Sequence, residues 1–575
     1  LAETLKEEFP EIEHAATITW VASNTLSVGE SNIKAEGFYV GSDFFQLFSY
    51  ELLDGDASQV LNDKKNIVIS KSLAEQLFEN SENAMGKVVE YEHNKEFVVS
   101  GVFEGTPRNS SYQFDFVLSF EAFKDENDWV LSWGSNGPGT IVTLIEGANH
   151  QAVSDKIADF VKTKNEQSNV TLFLRHYSDL YLNGRYENGK EDGGRIEYVQ
   201  LFSMNAIFIQ DIACNNIMKL STARASRRSK EVGIKKAIGA KQWGLILQYL
   251  SESLFITFFS MLLALFLIWL FLPQFNEITD KQITLSIDGV MLASLFAVLV
   301  FTGLLAGSYP ALYLSGFNTV SILKGNLKGS LGELWARRGL VVFQFTLSVI
   351  LIVSVIVIYQ QIQFVQGKSL GYKNDHVIYF GIEGRVEDNL QTFINELNTI
   401  IGVESASSVG HNLVGRQNNT SGLDWPGKSE EENILFENIR VNYDFIETMG
   451  MEMLEGRSFS NEFSTDTSSI ILNEAAVEIM GLENPIGETL KLWDEYDLEI
   501  IGVVKDFHFQ SLHETVKPAF FIINPDNTWN IMARIEAGRE KETLEAIDQF
   551  YSDFNPGFAF DYYFLDERFQ RQYAA

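Results

Sequence analysis

Residues 219–241 read KLSTARASRRSKEVGIKKAIGAK, eight Lys or Arg against one acid, Glu231, in a protein whose formal net charge is −33. Apolar segments flank this block on both sides. Short basic loops between hydrophobic spans stay on the cytoplasmic side of a bilayer. The block therefore sets the direction of every span around it.

Residues 245–272 carry one charge, Glu252, near their start, and residues 289–314 and 339–366 carry none. Each run exceeds the ~20 apolar residues needed to cross the hydrocarbon core, which predicts three transmembrane helices. The topology requires a fourth over 199–218, although Asn205, Gln210, Asp211, Asn215 and Asn216 interrupt it. An ionisable side chain at mid-depth costs about 2.5–3.5 kcal/mol on insertion scales and turns towards protein or water. The opening LAETLKEEFPEIE reads as mid-domain and the closing FLDERFQRQYAA as a helix leading onward, so the chain is expected to be a fragment lacking spans at both ends.

The large segments on either side of the spans mix short β-branched or aromatic runs, such as Ile67-Val68-Ile69, with helical stretches, a pattern that predicts α+β domains. The expected fold is a polytopic α-helical membrane protein with about four transmembrane helices and two repeated α+β extracytoplasmic domains. The domains are 1–197 and 368–575, and the membrane region, 198–367, has cytoplasmic loops at 219–243 and 315–338. Charge tests this layout: the two internal loops hold 12 basic and 2 acidic residues, the two large domains 31 basic and 70 acidic. Both domains therefore belong on the outer face, and their acidity serves solubility. It also excludes nucleic acid as a partner, since phosphates demand the opposite sign. The single cysteine, Cys214, rules out an intrachain disulfide.

The domains look like copies of one another. VGSDFFQLFSYELLDGD from Val40 recurs as VNYDFIETMGMEMLEGR from Val441, and at nearly the same offset of 401 Ser100-Gly101-Val102 meets Ile501-Gly502-Val503.

Sites of chemistry are scarce. GLDWPGKS, residues 422–429, satisfies the pattern of a phosphate-binding loop, but Pro426 lacks an N–H, Asp424 would repel phosphate and no strand signal precedes it, so it reads as an ordinary loop. His508 and His513, with Glu514 nearby, have a spacing that one helix or strand would not converge on a metal. They read as packing or surface residues, and no Ser/His/Asp or Cys/His set can be assembled. Gly303 and Gly307 form the small-residue pattern that lets transmembrane helices approach closely.

The basic loop contains more than charge. Val232, Ile234, Ala237 and Ile238 supply an apolar face for docking, while Gly233 and Gly239 are expected to break the helix and bend the chain back to the membrane. Arg228 to Ala240, within RASRRSKEVGIKKAIGAKQWGLILQYLSESL, resembles the R-x-x-E-[IV]-G-[IV]-[RK]-[RK]-A-[IVL]-G-A signature of FtsX-like, MacB-type ABC transporter permeases. GSYPALYLSGFNTVSILKG, RRGLVVFQFTLSVILIV and a duplicated domain similar to the MacB periplasmic core extend the resemblance over essentially the whole chain.

The resemblance implies a non-catalytic permease subunit in a bacterial inner membrane, without a cofactor, its large domains periplasmic. A separate ATPase would bind the coupling helix through Arg227, Arg228, Glu231, Val232, Gly233, Ile234, Lys236, Ile238, Gly239 and Ala240. Membrane lipid, a second permease as homo- or heterodimer, and a periplasmic adaptor or outer-membrane component complete the implied partners. ATP-driven motion would then act on envelope cargo, by efflux or by lipoprotein or peptide export. The alternative is an FtsX-like signal transducer that regulates a cell-wall hydrolase or sensor kinase without transport.

Overall fold

The computed structural model describes residues 1–567 except 167, 188, 224, 280, 316–330, 412, 414, 416–417, 430–431 and 510–514; within helices it describes no side chains at 218–230, 309–310, 313–314, 331–337, 340 and 365–367. Most of the second internal loop, His513 and Glu514 lie outside the described residues. The chain divides into an outer unit, Leu1–Leu174 with Ile362–Ala575, and a membrane unit, Arg175–Gln361. The outer unit has two lobes, one from each segment.

Lobe 1 begins with α1 (Ala2–Glu8) and continues through β1 (Ile12–Ile18), β2 (Ala22–Val28), β3 (Ser31–Val40), β4 (Leu52–Asp54) and β5 (Asn66–Ser70) to α2 (Lys71–Phe78). It ends with β6 (Val88–Tyr91), β7 (Lys95–Phe103), β8 (Phe116–Ser119), β9 (Gly139–Leu144) and α3 (His150–Ile157). Helix α2 starts where Ser70 Oγ accepts from the Leu73 amide at 3.2 Å, an N-cap that satisfies an otherwise orphan donor. It buries Leu73, Ala74 and Leu77 against Ile67, Ile69, Val102 and Phe116 on one face of the sheet, while Phe38, Phe44, Phe103 and Val117 fill the other. The strand order is β2-β6-β7-β5-β8-β3-β1-β9, with β4 on β7.

The membrane unit contains a short hairpin, β10 (Tyr186–Glu187) with β11 (Lys190–Glu191), and helices α4 (Ile196–Ala223), α5 (Ala225–Ala237), α6 (Gln242–Thr279), α7 (Gly289–Ser315) and α8 (Leu331–Gly367). Three stretches, Gln242–Thr279, Gly289–Ser308 and Val341–Phe364, are long and apolar enough to cross a membrane. Helix α4 is continuous despite its polar residues. Gln210 Nε2 donates to Thr302 Oγ1 on α7 at 2.7 Å, and Cys214 and Asn215 are buried. The polar side chains that interrupt the apolar run thus include the ones that fasten α4 to its neighbour, as expected where lipid offers no partner.

Lobe 2 comprises β12 (Val377–Gly381), α9 (Leu390–Leu397), β13 (Val403–Val409), β14 (Asn419–Thr420), β15 (Leu423–Asp424), β16 (Phe436–Val441), β17 (Met453–Gly456), β18 (Ser469–Asn473) and α10 (Glu474–Met480). β19 (Thr489–Leu492), β20 (Tyr496–Val504), β21 (Ala519–Ile523), β22 (Asn530–Ile535), α11 (Glu540–Phe554) and β23 (Tyr562–Phe564) follow. Its order, β15-β19-β20-β18-β21-β16-β13-β22, repeats that of lobe 1 strand for strand before β12 and β23 extend it. Details repeat as well. The register slips at Ile67/Val68 and again at Ile470/Ile471. The β6–β7 turn places Glu92 and His93 at φ 54° and 52°, and the β19–β20 turn places Trp493 and Asp494 at 57° and 60°, the same left-handed pair opening a three-residue connection in each lobe.

Candidate coupling site

Helix α5 ends in a Schellman motif. The Ala240 amide donates to the Lys235 carbonyl at 2.9 Å and the Gly239 amide to the Lys236 carbonyl at 3.0 Å, with Gly239 at φ 102°. Only glycine takes that conformation without strain, and it frees the chain to turn into α6. Gly233, expected to break the helix, instead lies inside it and is buried. The ~1 kcal/mol intrinsic cost of a helical glycine is small beside tertiary packing.

An inner face of α5 is held by its own chain. Val232 is 0% exposed and packs with Leu245 and Tyr249 of α6 and Ala311 of α7. One turn on, Lys236 Nζ donates to the Ser315 carbonyl at 2.6 Å, at the C-terminus of α7, where a cation is favoured by the helix dipole. Lys235 pairs with Glu231 at 2.8 Å and donates to Gln248 Oε1 at 3.1 Å. Ile234 and Ile238 are 53% and 82% exposed. The expected single apolar face therefore divides: at 100° per residue, 234 and 238 lie about 200° from 232 and 236. Val232 is corrected from a partner contact to an internal anchor. Arg227 and Arg228 fall within α5, and their side chains are outside the description.

The helices behind this anchor are close. A Cβ on Gly303 would lie 2.5 Å from Leu254 Cδ2, and one on Gly307 2.8 Å from Ser253 Cβ, so these two glycines set the separation of α6 and α7. The roles of Lys236 and Ser315 escape motif reading. A 100° projection of residues 231–238 would have separated the two faces of α5.

Two family models cover this architecture. The MacB-like periplasmic core domain matches residues 1–160 and 340–549, and the FtsX-like permease C-terminal model matches 206–319, a segment that includes all of α5. The chain belongs to the MacB/FtsX-type permease family. Like other members it is a polytopic membrane protein with periplasmic domains, here two. The macrolide export ATP-binding/permease protein MacB of Salmonella choleraesuis (strain SC-B67) is 24% identical over 320 residues, which cover 51% of this chain and 45% of that protein. The uncharacterized ABC transporter permease YvrN of Bacillus subtilis (strain 168) is 25% identical over 295 residues, 50% of this chain and 69% of that one. The match spans about half the length of the MacB relatives. The crystal structure of the periplasmic region of MacB from Actinobacillus actinomycetemcomitans matches 36% of this chain and 95% of its own, at 14% identity and a TM-score of 0.26.

The other motifs resolve into packing. In GLDWPGKS, Leu423 and Asp424 form β15 against β19, and Lys428 donates to the Leu423 carbonyl at 2.7 Å while lying over the Trp425 ring at 4.9 Å. Its ammonium is engaged within its own loop. The His508 amide donates to the Leu370 carbonyl at 2.7 Å, and burial, then Lys368, pushes the imidazole below its ordinary pKa. Among the described residues no group of three or more His, Cys, Asp or Glu could hold a metal ion.

Proposed function

We propose that this chain is a membrane subunit of an ATP-binding-cassette transporter of the MacB type, that ATP is hydrolysed on a separate subunit, and that α5 receives the motion. The observation that carries the reading is the division of α5. Val232 and Lys236 fasten the helix to α6 and α7, and Ile234 and Ile238 remain exposed on the other side. An exposed apolar pair amid Arg and Lys is the composition of an interface centre with a steering rim. Glu231 holds Lys235 within the helix, Gly239 and Ala240 end it, and Arg227 and Arg228 supply charge for an acidic ATPase surface. The large domains meet the membrane near 197 and 368 and work in the periplasm on envelope cargo, in a bacterial inner membrane, with permeases acting in pairs.

The test is co-purification of an ATP-binding-cassette ATPase subunit with the chain, from membranes of cells that make the full protein. Ile234→Asp with Ile238→Asp is expected to remove the ATPase and its stimulated hydrolysis while membrane insertion persists. Wild-type stoichiometry in that double variant would overturn the assignment.

A further inference from the structure

Lobe 1 meets lobe 2 through a partly buried cluster of charge. Lys34, on β3 and 19% exposed in its side chain, contacts Glu383 Oε1 at 2.9 Å and lies 3.9 Å from Asp561 Oδ2, both in lobe 2. Beside it, in the β6–β7 turn, Glu92 Oε1 accepts from the Thr25 amide at 2.7 Å. The next residue, His93, sets its ring edge-on to Phe558 with centroids 5.0 Å apart, and its Nε2 lies 3.4 Å from the Gly557 carbonyl oxygen. Gly557 is at φ 95°, and a Cβ there would stand 2.9 Å from His93 Nε2, so only glycine permits this approach. Glu383 Oε2 is buried without a hydrogen-bond partner.

The contact joins unlike surfaces. At the repeat offset, lobe 2 has Leu435 where lobe 1 has Lys34, and Trp493-Asp494 where lobe 1 has Glu92-His93. The Lys34, Glu92 and His93 set therefore belongs to the lobe 1 copy alone, and within reach of Lys34 stand three carboxyls, Glu92 of lobe 1 and Glu383 and Asp561 of lobe 2.

We propose that Lys34 and the Glu92–His93 turn form a docking surface on lobe 1 whose partner is lobe 2 of the same chain, and that this surface grips more tightly when the seam takes up a proton. Burial, followed by the nearness of Glu383, pushes Glu92 up to about 7, and burial raises Glu383 against the pull of Lys34. The groups facing Glu92 are Asn24 and Thr25 of β2, Lys34 of β3, and Glu383 of lobe 2. Tyr551, and Asp561 beside Glu383, stand behind them. Glu90, Tyr91 and His93 share its hairpin, and Tyr39 of β3 also senses its charge. A carboxyl whose pKa is higher docked than undocked binds more protons docked, so docking is strongest below the ordinary 4.5 and is lost as the pH rises towards about 7.

The experiment uses the full chain in lipid nanodiscs, with Cys214→Ser and spin labels on Glu96→Cys and Lys541→Cys, and reads the distance between the lobes at pH 5.5 and 8.5. One short distance is expected at pH 5.5, and at pH 8.5 the closed-to-open ratio falls roughly tenfold or more. Glu92→Gln should stay closed at both values, Lys34→Glu should open, and Lys34→Glu with Glu383→Lys should close again. An unchanged distance in Lys34→Glu, or an opening that Glu383→Lys does not reverse, overturns the docking surface. A pH response that survives Glu92→Gln combined with Glu383→Gln overturns the proton linkage.

Discussion

Phe521 in lobe 2 and Phe259 in the membrane unit are the same side chain in opposite situations, the first 0% exposed and the second 63%. Polar groups are reversed too. In the membrane unit Asn215 and Thr302 are buried and Gln210 turns inward, whereas among phenylalanines Phe255, Phe266 and Phe301 face outward. The difference teaches what each region uses to hold together. Water drives the apolar side chains of the lobes inward. Lipid tails are as apolar as those side chains, so the membrane helices rely on close backbone approach and on hydrogen bonds between helices.

The comparison would break first at the phenylalanines. Phe521→Ala should destabilise lobe 2 by about 3–5 kcal/mol through cavity formation, while Phe259→Ala should leave the melting of the purified protein nearly unchanged. Thermal unfolding of both variants in one detergent checks this, and similar losses would erase the contrast.

A smaller effect is expected at the close approaches. Gly307→Val places methyl groups against Ser253 and should cost about 1–3 kcal/mol by overpacking, read as earlier dissociation of α6 from α7 in a detergent titration. Lobe 2 has a polar counterpart in Asp466, whose carboxylate accepts from Arg457 at 2.8 and 2.6 Å and from the Ser460 amide at 2.8 Å. Burial works against its ionisation, but Arg457 and that amide hold it below the ordinary 3.8. A depressed carboxyl stabilises above its unfolded value and loses that stabilisation as the pH falls through the folded one. Asp466→Asn should therefore cost lobe 2 about 2 kcal/mol near pH 7 and progressively less as the pH falls below 3.8, measured by denaturant unfolding of full-length protein.

The smallest effect sharpens the lesson. Gln210→Leu removes the bond to Thr302 and should cost only about 0.6 kcal/mol, the average for hydrogen bonds between membrane helices, because the separated helices find other partners. A loss of several kcal/mol would show that lipid isolates polar groups more severely than this.

Much of the fold was legible in the sequence because the strongest signals are local. Uninterrupted apolar runs announced α6, α7 and α8, and the recurrence at 401 announced two similar lobes over β3 to β7. The flanks of the repeat were not legible, because loops of unequal length change the offset: Ile12 of β1 corresponds to Val403 of β13 in the same irregular pairing, an offset of 391. Insertions accumulate in loops, where backbone is solvated and length is tolerated. At the candidate site, the cationic composition of α5 was legible. Its two-sidedness was not, because Val232 and Ile234 look alike until the helix angle between them is drawn. Polar residues made α4 look doubtful for a related reason, since the partner of Gln210 is Thr302, 92 positions away.

The bond from Lys236 to the end of α7 has a mechanical consequence. Helix α5 is covalently continuous with α6 through the Gly239 turn and is pinned to α7 by the Lys236–Ser315 bond and by Val232 on Ala311, so it is a crossbar fixed to both helices rather than a pendant loop. A push on one end of such a bar turns it, and torque reaches two membrane helices at once, in a fixed ratio. Lys236→Ala would leave the packing of Val232 on Ala311 as the remaining hold on α7, so the bar would carry the second helix along less firmly.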